Sequence, residues 1–306
     1  MAPHYSIVVP VFNEEKNIQP FYDALCSHIP ADFELIWVND GSTDQTLHLI
    51  KGIAAKDNRI RCISFSRNFG HQAALVAGLQ FARGKRIVFM DGDLQHPPSL
   101  LPLFFNKMDE GFDLVSGQKL TTEDSSGVKR IFSGWFYRLI NFLSDTKIDK
   151  DVSDFRVFNK KVAAAVLQFD ERELFLRGIF NWIGFKTTNI SYHAPARKSG
   201  QTKYSFSKMV QLALRGTLSF SFKPIRLSLL MGTVVSIAAF LFIIFAVISY
   251  FTGNTIPGWA SIIIGVMFLG GIQLIMIGLI GEYVASLFIE SKKRPLFLID
   301  EKINVE

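Results

Sequence analysis

"RIVFMDGDLQHPP", Arg86 to Pro98, starts as a short β-branched and aromatic run and ends on two carboxylates one residue apart. A strand that stops at Asp91-Gly92-Asp93 is either a polar turn or half of a metal site, and its neighbours decide which. Four runs of the same kind lie around it: "YSIVVPVF" (Tyr5 to Phe12), "FELIWV" (Phe33 to Val38), "IRCISF" (Ile60 to Phe65) and "DLVSG" (Asp113 to Gly117), with helical periodicity between them. Strands alternating with helices predict an α/β fold, a mostly parallel sheet covered on both faces. Ligands of such sheets collect outside the carboxyl ends of the strands.

The polar residues fall at those ends. The first strand runs into Asn13, Glu14 and Glu15, the second into "NDGSTD" (Asn39 to Asp44), the third into "SRNFGHQ" (Ser66 to Gln72), and the fourth into "DGDLQHPP". Singly, each has a local explanation: Ser42 with Gln45 fits a capping box, and Asn68 with Gly70 fits a turn. Together on one rim they favour a site. The first strand is followed by no glycine-rich dinucleotide fingerprint, so a bound diphosphate needs another source of positive charge. A divalent cation held by Asp91 and Asp93 is the natural candidate, since hard oxygen ligands suit Mg2+ or Mn2+.

The rest of the chain has a different character. Of 306 residues 49% are hydrophobic, and from Leu227 to Gly281 there is no charged side chain at all. Turn residues at Gly253, Asn254, Pro257 and Gly258 split this stretch into 227–250 and 259–281, each long enough to cross a hydrocarbon core of about 30 Å. The expected organisation is a domain over 1–223, a two-helix membrane hairpin over 224–290 and a tail over 291–306. Lys208, Arg215, Lys223 and Arg226 precede the first span and Lys292, Lys293 and Arg294 follow the second, which places the large domain and both termini on the cytoplasmic side of the plasma (inner) membrane. Residues 129–143 and 204–222 read as amphipathic elements lying in the headgroup layer.

The net charge of +6 comes without an aromatic-interleaved basic tract, which argues against nucleic acid as partner and for lipid headgroups and phosphate ligands. Cys26 and Cys62 read as buried free thiols, and His71, His96 and His193 as polar rim or turn residues. The strand-like run in the tail "RPLFLIDEKINVE" predicts pairing with a second copy of the chain and hence a homo-oligomer.

Taken in order, "VVPVFNEE", "NDGSTD", "SRNFGHQAALVAG" and "DGDLQHPP" resemble the inverting glycosyltransferases of family 2, whose fold is called GT-A. "VSDFRVFNK", "RELFLRGI" and "RKSGQTKYSF", followed by two apolar spans, narrow the resemblance to the polyprenyl-phosphate glycosyltransferases, a group with bactoprenol glucosyltransferases and dolichyl-phosphate mannose synthase. The resemblance implies that Pro10, Phe12, Glu14 and Asp40 hold the nucleoside of a sugar nucleotide, with Asp91 beside them. It implies that Asp91, Asp93 and Gln95 bind the metal and diphosphate, that Arg197 and Lys203 lie near phosphate groups, and that Asp93, Asp154 and Arg156 surround the reacting centre.

The expected reaction moves a hexose, by family analogy glucose from UDP-glucose, onto undecaprenyl or another polyprenyl phosphate. A lipid monophosphate has a second pKa of about 6 and needs positioning more than deprotonation. Asp154 is therefore expected to orient Arg156 or a donor hydroxyl, with a base role as the alternative. The other readings are another donor (GDP-mannose, UDP-GlcNAc or a UDP-amino-arabinose) and a non-enzymatic membrane scaffold with a degenerate fold.

Overall fold

The structure is a computed structural model and describes residues 3–120, 152–172, 174–193, 223–252 and 258–305. The expected amphipathic elements at 129–143 and 204–222 lie outside these residues. The described chain separates into two compact units, one holding the sheet together with the tail from Arg294, the other holding two long helices.

The first unit opens with β1 (Tyr5–Val11), α1 (Ile18–His28), β2 (Phe33–Asn39), α2 (Thr46–Ala54), β3 (Ile60–Phe65), α3 (His71–Gln80), β4 (Arg86–Phe89), α4 (Leu101–Asp109) and β5 (Leu114–Lys119). After the undescribed segment come β6 (Val152–Asn159), α5 (Lys160–Val166), α6 (Leu176–Trp182) and β7 (Thr187–Tyr192), and the tail supplies β8 (Ile299–Ile303). The eight strands form one sheet in the order β7-β5-β6-β4-β1-β2-β3-β8. β1 pairs in parallel with β2 and β4, β2 with β3 and β5 with β7, while β6 and β8 run antiparallel to their neighbours.

Every residue of β2 and β3 is buried, as expected of strands covered on both faces. α1 turns Ile18, Phe21 and Leu25 inward at helical spacing. α3 is apolar all round, and accordingly buried from Ala73 to Leu79. It lies so close to the sheet that a Cβ on Gly78 would stand 2.2 Å from Val8 Cγ1 and 3.2 Å from Val38 Cγ2.

Two local expectations are corrected. Ser42 and Gln45 form no capping box: Ser42 Oγ accepts the Asn13 N–H at 3.0 Å, and Asp44 Oδ1 accepts the Thr46 N–H at 3.0 Å. The strand of the tail, expected to pair with a second copy, pairs with β3 of its own chain and forms the edge of the sheet. Asn304 Nδ2 donates to Ala54 O (3.1 Å) and Ile60 O (2.9 Å), fixing the end of that strand. Its carbonyl accepts Arg61 Nε at 3.2 Å, while Arg61 Nη1 donates to Glu34 Oε2 at 2.6 Å. Glu34 also accepts from Ser6 Oγ and the Arg83 N–H, so this buried pair is hydrogen-bonded throughout, the condition under which buried charge is tolerated.

The second unit consists of α7 (Lys223–Phe251) and α8 (Trp259–Ser291), which correspond to the two uncharged stretches of the sequence. Leu229, Phe240, Phe245, Phe268 and Leu274 stand exposed on them, uncovered by protein. Among the described residues one helical stretch, Gly265–Ser291, is both long and apolar enough to cross a membrane, and Ser228–Phe242 is apolar but shorter.

The tight seam between α3 and β1 gives a direct test. Gly78→Ala should destabilise the sheet domain by roughly 1–3 kcal/mol through overpacking. Urea unfolding followed by tryptophan fluorescence, with Trp37 buried in the sheet, measures it.

Candidate active site

The carboxyl ends of β1, β2, β3 and β4 form one rim, and their loops are tied to one another. Asn13, in the left-handed region (φ 55), accepts the Thr43 N–H on Oδ1 at 2.8 Å. Glu14 N–H donates to Thr46 Oγ1 at 2.8 Å, and its carboxylate accepts Asn17 Nδ2. Gly41, at φ +70, faces the loop after β3 so closely that a Cβ would come within 2.5 Å of the Arg67 carbonyl carbon. Only glycine fits both the backbone angle and the approach.

Asp40 is the link between these loops. Its two oxygens accept the N–H groups of Phe69 (2.6 Å) and Gly70 (3.0 Å), the residues leading into α3. Burial raises its pKa, against the pull of these two amides. The carboxylate thus shapes the wall formed by residues 66–70.

A second cluster surrounds Asp91. β4 and β6 pair antiparallel with Phe89 opposite Arg156, and continuing that register by two residues sets Asp91 across from Asp154. Two neighbouring carboxylates would raise each other's pKa unless cations intervene. His71, at the start of α3, contacts Asp91 Oδ1 through Nε2 at 2.8 Å. His96 is buried, accepts the Asp91 N–H on Nδ1 at 2.9 Å and stacks on Phe155 with ring centres 5.1 Å apart. A neutral ring accepting at Nδ1 carries its proton on Nε2, which stands 3.6 Å from Asp91 Oδ2. Asp154 receives Arg177 of α6 in a two-pronged contact, Nε and Nη2 each at 2.9 Å.

The titration of these groups follows from their neighbours. Burial pushes Asp91 up, but the neighbouring His96, the bond from His71 and the charge of Arg177 prevail and hold it well below the usual carboxylate range. Burial likewise opposes ionisation of Asp154, and Arg177 brings it down to about 2. Burial would lower His71, yet its bond to Asp91 lifts it to about 9. Arg156, buried under Phe180 at 4.6 Å, is pushed down to about 10 by burial.

Pro10 is buried in β1 and Phe12 half-buried just beyond it. Asp93 Oδ1 accepts the Gln95 N–H at 3.0 Å, closing a turn in which Leu94 takes a left-handed backbone (φ 63). A bulky residue there is strained, and such strain concentrates at functional sites. Arg197 and Lys203 lie outside the described residues. Asp154 was expected to orient Arg156 or a donor hydroxyl; it bonds Arg177, and Arg156, whose charge also acts on Asp154, turns its Nε back to Ser153 O at 3.4 Å.

Residues 6–167 match the model of Glycosyl transferase family 2. The chain belongs to this family. It is 37% identical to the uncharacterized glycosyltransferase YkcC of Bacillus subtilis (strain 168), over 99% of this chain and 95% of that protein. It is 38% identical to the prophage bactoprenol glucosyl transferase homolog of Escherichia coli (strain K12), over 96% and 97%, and to the bactoprenol glucosyl transferase of Shigella phage SfV, again over 96% and 97%. Among solved structures, S. aureus TarS 1-349 in complex with UDP-GlcNAc aligns with a TM-score of 0.49 and 18% identity, covering 70% of this chain and 65% of that one. The protein is a glycosyltransferase.

The donor set of this glycosyltransferase fits a hard divalent cation. Asp91 and Asp93 offer carboxylate oxygens from one turn, and Mg2+ is commonly held by one or two carboxylates plus substrate phosphates and water. Among the described residues no cluster of three or more acidic, His or Cys ligands is assembled, so the remaining ligands would come from elsewhere.

His71 and His96 were read as polar rim or turn residues and stand at the rim, but neither their contacts with Asp91 nor a role for Arg177 was foreseen. "RELFLRGI" contains Arg177, but only folding brings it to Asp154, 23 residues earlier.

Two outcomes follow for the glycosyltransferase. Arg177→Lys cannot reproduce a two-pronged contact, and a lost charge-assisted bond of about 1.5–3 kcal/mol predicts roughly 10- to 100-fold lower kcat/KM. Steady-state kinetics with an unchanged melting temperature would establish this. In metal-free protein His71 should titrate near 9 by NMR. Asp91→Asn removes the stronger of its two raising partners and leaves Asp154, so the value should fall from there.

Proposed function

We propose that this glycosyltransferase moves glucose from UDP-glucose onto the phosphate of undecaprenyl phosphate or a similar polyprenyl phosphate, at the cytoplasmic face of the plasma membrane. The observation that carries this reading is the match, over nearly the full length of both chains, to proteins named bactoprenol glucosyl transferase. That match includes the apolar helices as well as the sheet domain. The reading also covers two membrane spans, at 227–250 and 259–281, with 129–143 and 204–222 in the headgroup layer. The exposed apolar side chains of α7 and α8 suit lipid as their surroundings.

The chemistry is a single displacement with inversion. A phosphate oxygen of the acceptor forms a bond to the anomeric carbon as the bond from that carbon to the diphosphate breaks, and UDP leaves with the electron pair. Asp91 and Asp93, with Gln95, would hold Mg2+ or Mn2+. When bound, the cation supplies Lewis-acid stabilisation of the negative charge growing on the leaving diphosphate.

The protein's own groups do the rest. Asp154, pinned by Arg177 and held near 2, is far too weak a base for neutral pH and serves to orient the guanidinium. His71, in contact with Asp91 Oδ1 at 2.8 Å, stands on the same side. Arg197 and Lys203 would contribute further cations to donor or acceptor phosphate. Asp40 and the 66–70 loop, with Pro10, Phe12 and Glu14, would frame the nucleoside.

The test incubates the purified full-length enzyme with undecaprenyl phosphate, Mg2+ and, separately, UDP-glucose, UDP-GlcNAc and GDP-mannose. A lipid heavier by one hexose from UDP-glucose alone is the expected product by mass spectrometry. A product from GDP-mannose or UDP-GlcNAc instead would overturn the donor, and UDP release without a modified lipid would overturn the acceptor. EDTA should abolish turnover, and added Mg2+ or Mn2+ should restore it.

A further inference from the structure

β8 is more than an edge cover. It pairs with β3 in a register that places Cys62 opposite Ile303, Ile63 opposite Lys302 and Ser64 opposite Glu301. The register then slips: Phe65 faces Ile299, so Asp300 has no opposite number. A bulge of this kind bends and twists the strand and is found near functional sites. Past the bulge, the Leu298 carbonyl accepts the Ser66 N–H at 3.1 Å. The Phe297 ring stacks on Phe65 with centres 4.9 Å apart, and Phe65 meets Phe69 edge-on at 5.7 Å. Phe69 and Gly70 are the residues whose amides occupy Asp40.

We propose that Phe297 and Leu298 are positioning residues for donor binding, holding the 66–70 loop in the conformation that engages Asp40 through the stack Phe297–Phe65–Phe69. This rests on the reading of the rim as a sugar-nucleotide site. The strand divides into two parts with separate roles. Asn304, Glu301 and their partners Ala54, Ile60, Arg61 and Lys51 fasten one end to the sheet, away from the rim. Phe297 and Leu298 act at the other end, where β3 gives way to the loop. Residues 292–298, which include Phe297 and Leu298, are the chain segment between the end of α8 at Ser291 and β8.

The experiment uses the full-length enzyme and measures UDP-glucose affinity by calorimetry with Mg2+, steady-state kinetics, melting temperature, and amide exchange at Phe69 and Gly70. Phe297→Ala should raise the donor Kd and KM about tenfold with kcat within about twofold, since small displacements of a positioning element act on binding geometry. The Phe69 and Gly70 amides should exchange faster while those of β2 keep their protection. Phe297→Tyr preserves the stack and should restore wild-type values. Asn304→Ala should lower the melting temperature and leave the donor Kd unchanged. If Phe297→Ala does not fold, Phe297→Leu carries the same readouts. Wild-type donor affinity in the alanine or leucine variant would overturn the proposal, as would an equal loss of affinity in Asn304→Ala. A wild-type enzyme that binds no UDP-glucose would instead sink the donor reading on which the inference rests.

Discussion

Asp91 and Asp154 lie just beyond and at the paired ends of β4 and β6, share the neighbours His71 and Arg177, and both stay ionised there. Desolvation favours protonation of each. The fold offsets this with cationic and polar groups from three elements: His71 at the start of α3, His96 in the turn after β4, and Arg177 on α6. Much of the surrounding architecture serves that requirement. α3 must sit close enough for His71 to reach the rim, and the absence of a side chain at Gly78 permits that approach to β1. α6 is anchored near α3 by the Leu176 N–H donating to Gln72 Oε1 at 2.9 Å, one residue from His71 and one from Arg177.

A similar economy holds the nucleoside side of the rim. No single loop there is stabilised by itself. Asn13 and Glu14 are held by Ser42, Thr43 and Thr46, and the loop after β3 is held by Asp40 from below and by the tail from the side. Interactions between loops from neighbouring strands rigidify a surface that loops alone would leave mobile. Gly41 marks the junction, since it turns with positive φ under the Arg67 backbone.

The sheet was legible because its strands carry dense β-branched and aromatic runs. β3 coincides with the run read as Ile60 to Phe65, and β1, β2, β4 and β5 fall within a residue or two of their runs. The carboxylates were legible because each stands where a strand ends. The contacts of Arg177 and His71 were not, since these residues meet Asp154 and Asp91 across 23 and 20 residues, and a contact made by folding leaves no periodicity behind. Ser42 shows the converse failure. Its spacing to Gln45 satisfies a local rule, but Asn13 from a different loop competes successfully for its hydroxyl. The tail shows a third limit. A short alternating run announces that a strand wants a partner, and nothing in the run says whether that edge belongs to the same chain.

The charge distribution also bears on what kind of acceptor the proposed reaction can use. A hydroxyl nucleophile needs a base whose pKa lies near the working pH. Asp154 is held at about 2 by Arg177, which makes it a weak base at neutral pH. The contact that keeps Asp154 ionised therefore removes it from service as a base. On the proposed reading, then, the nucleophile arrives with its charge already formed. A lipid phosphate meets that condition, and the apolar helices α7 and α8, with their side chains uncovered by protein, are suited to keep the enzyme where such a lipid resides.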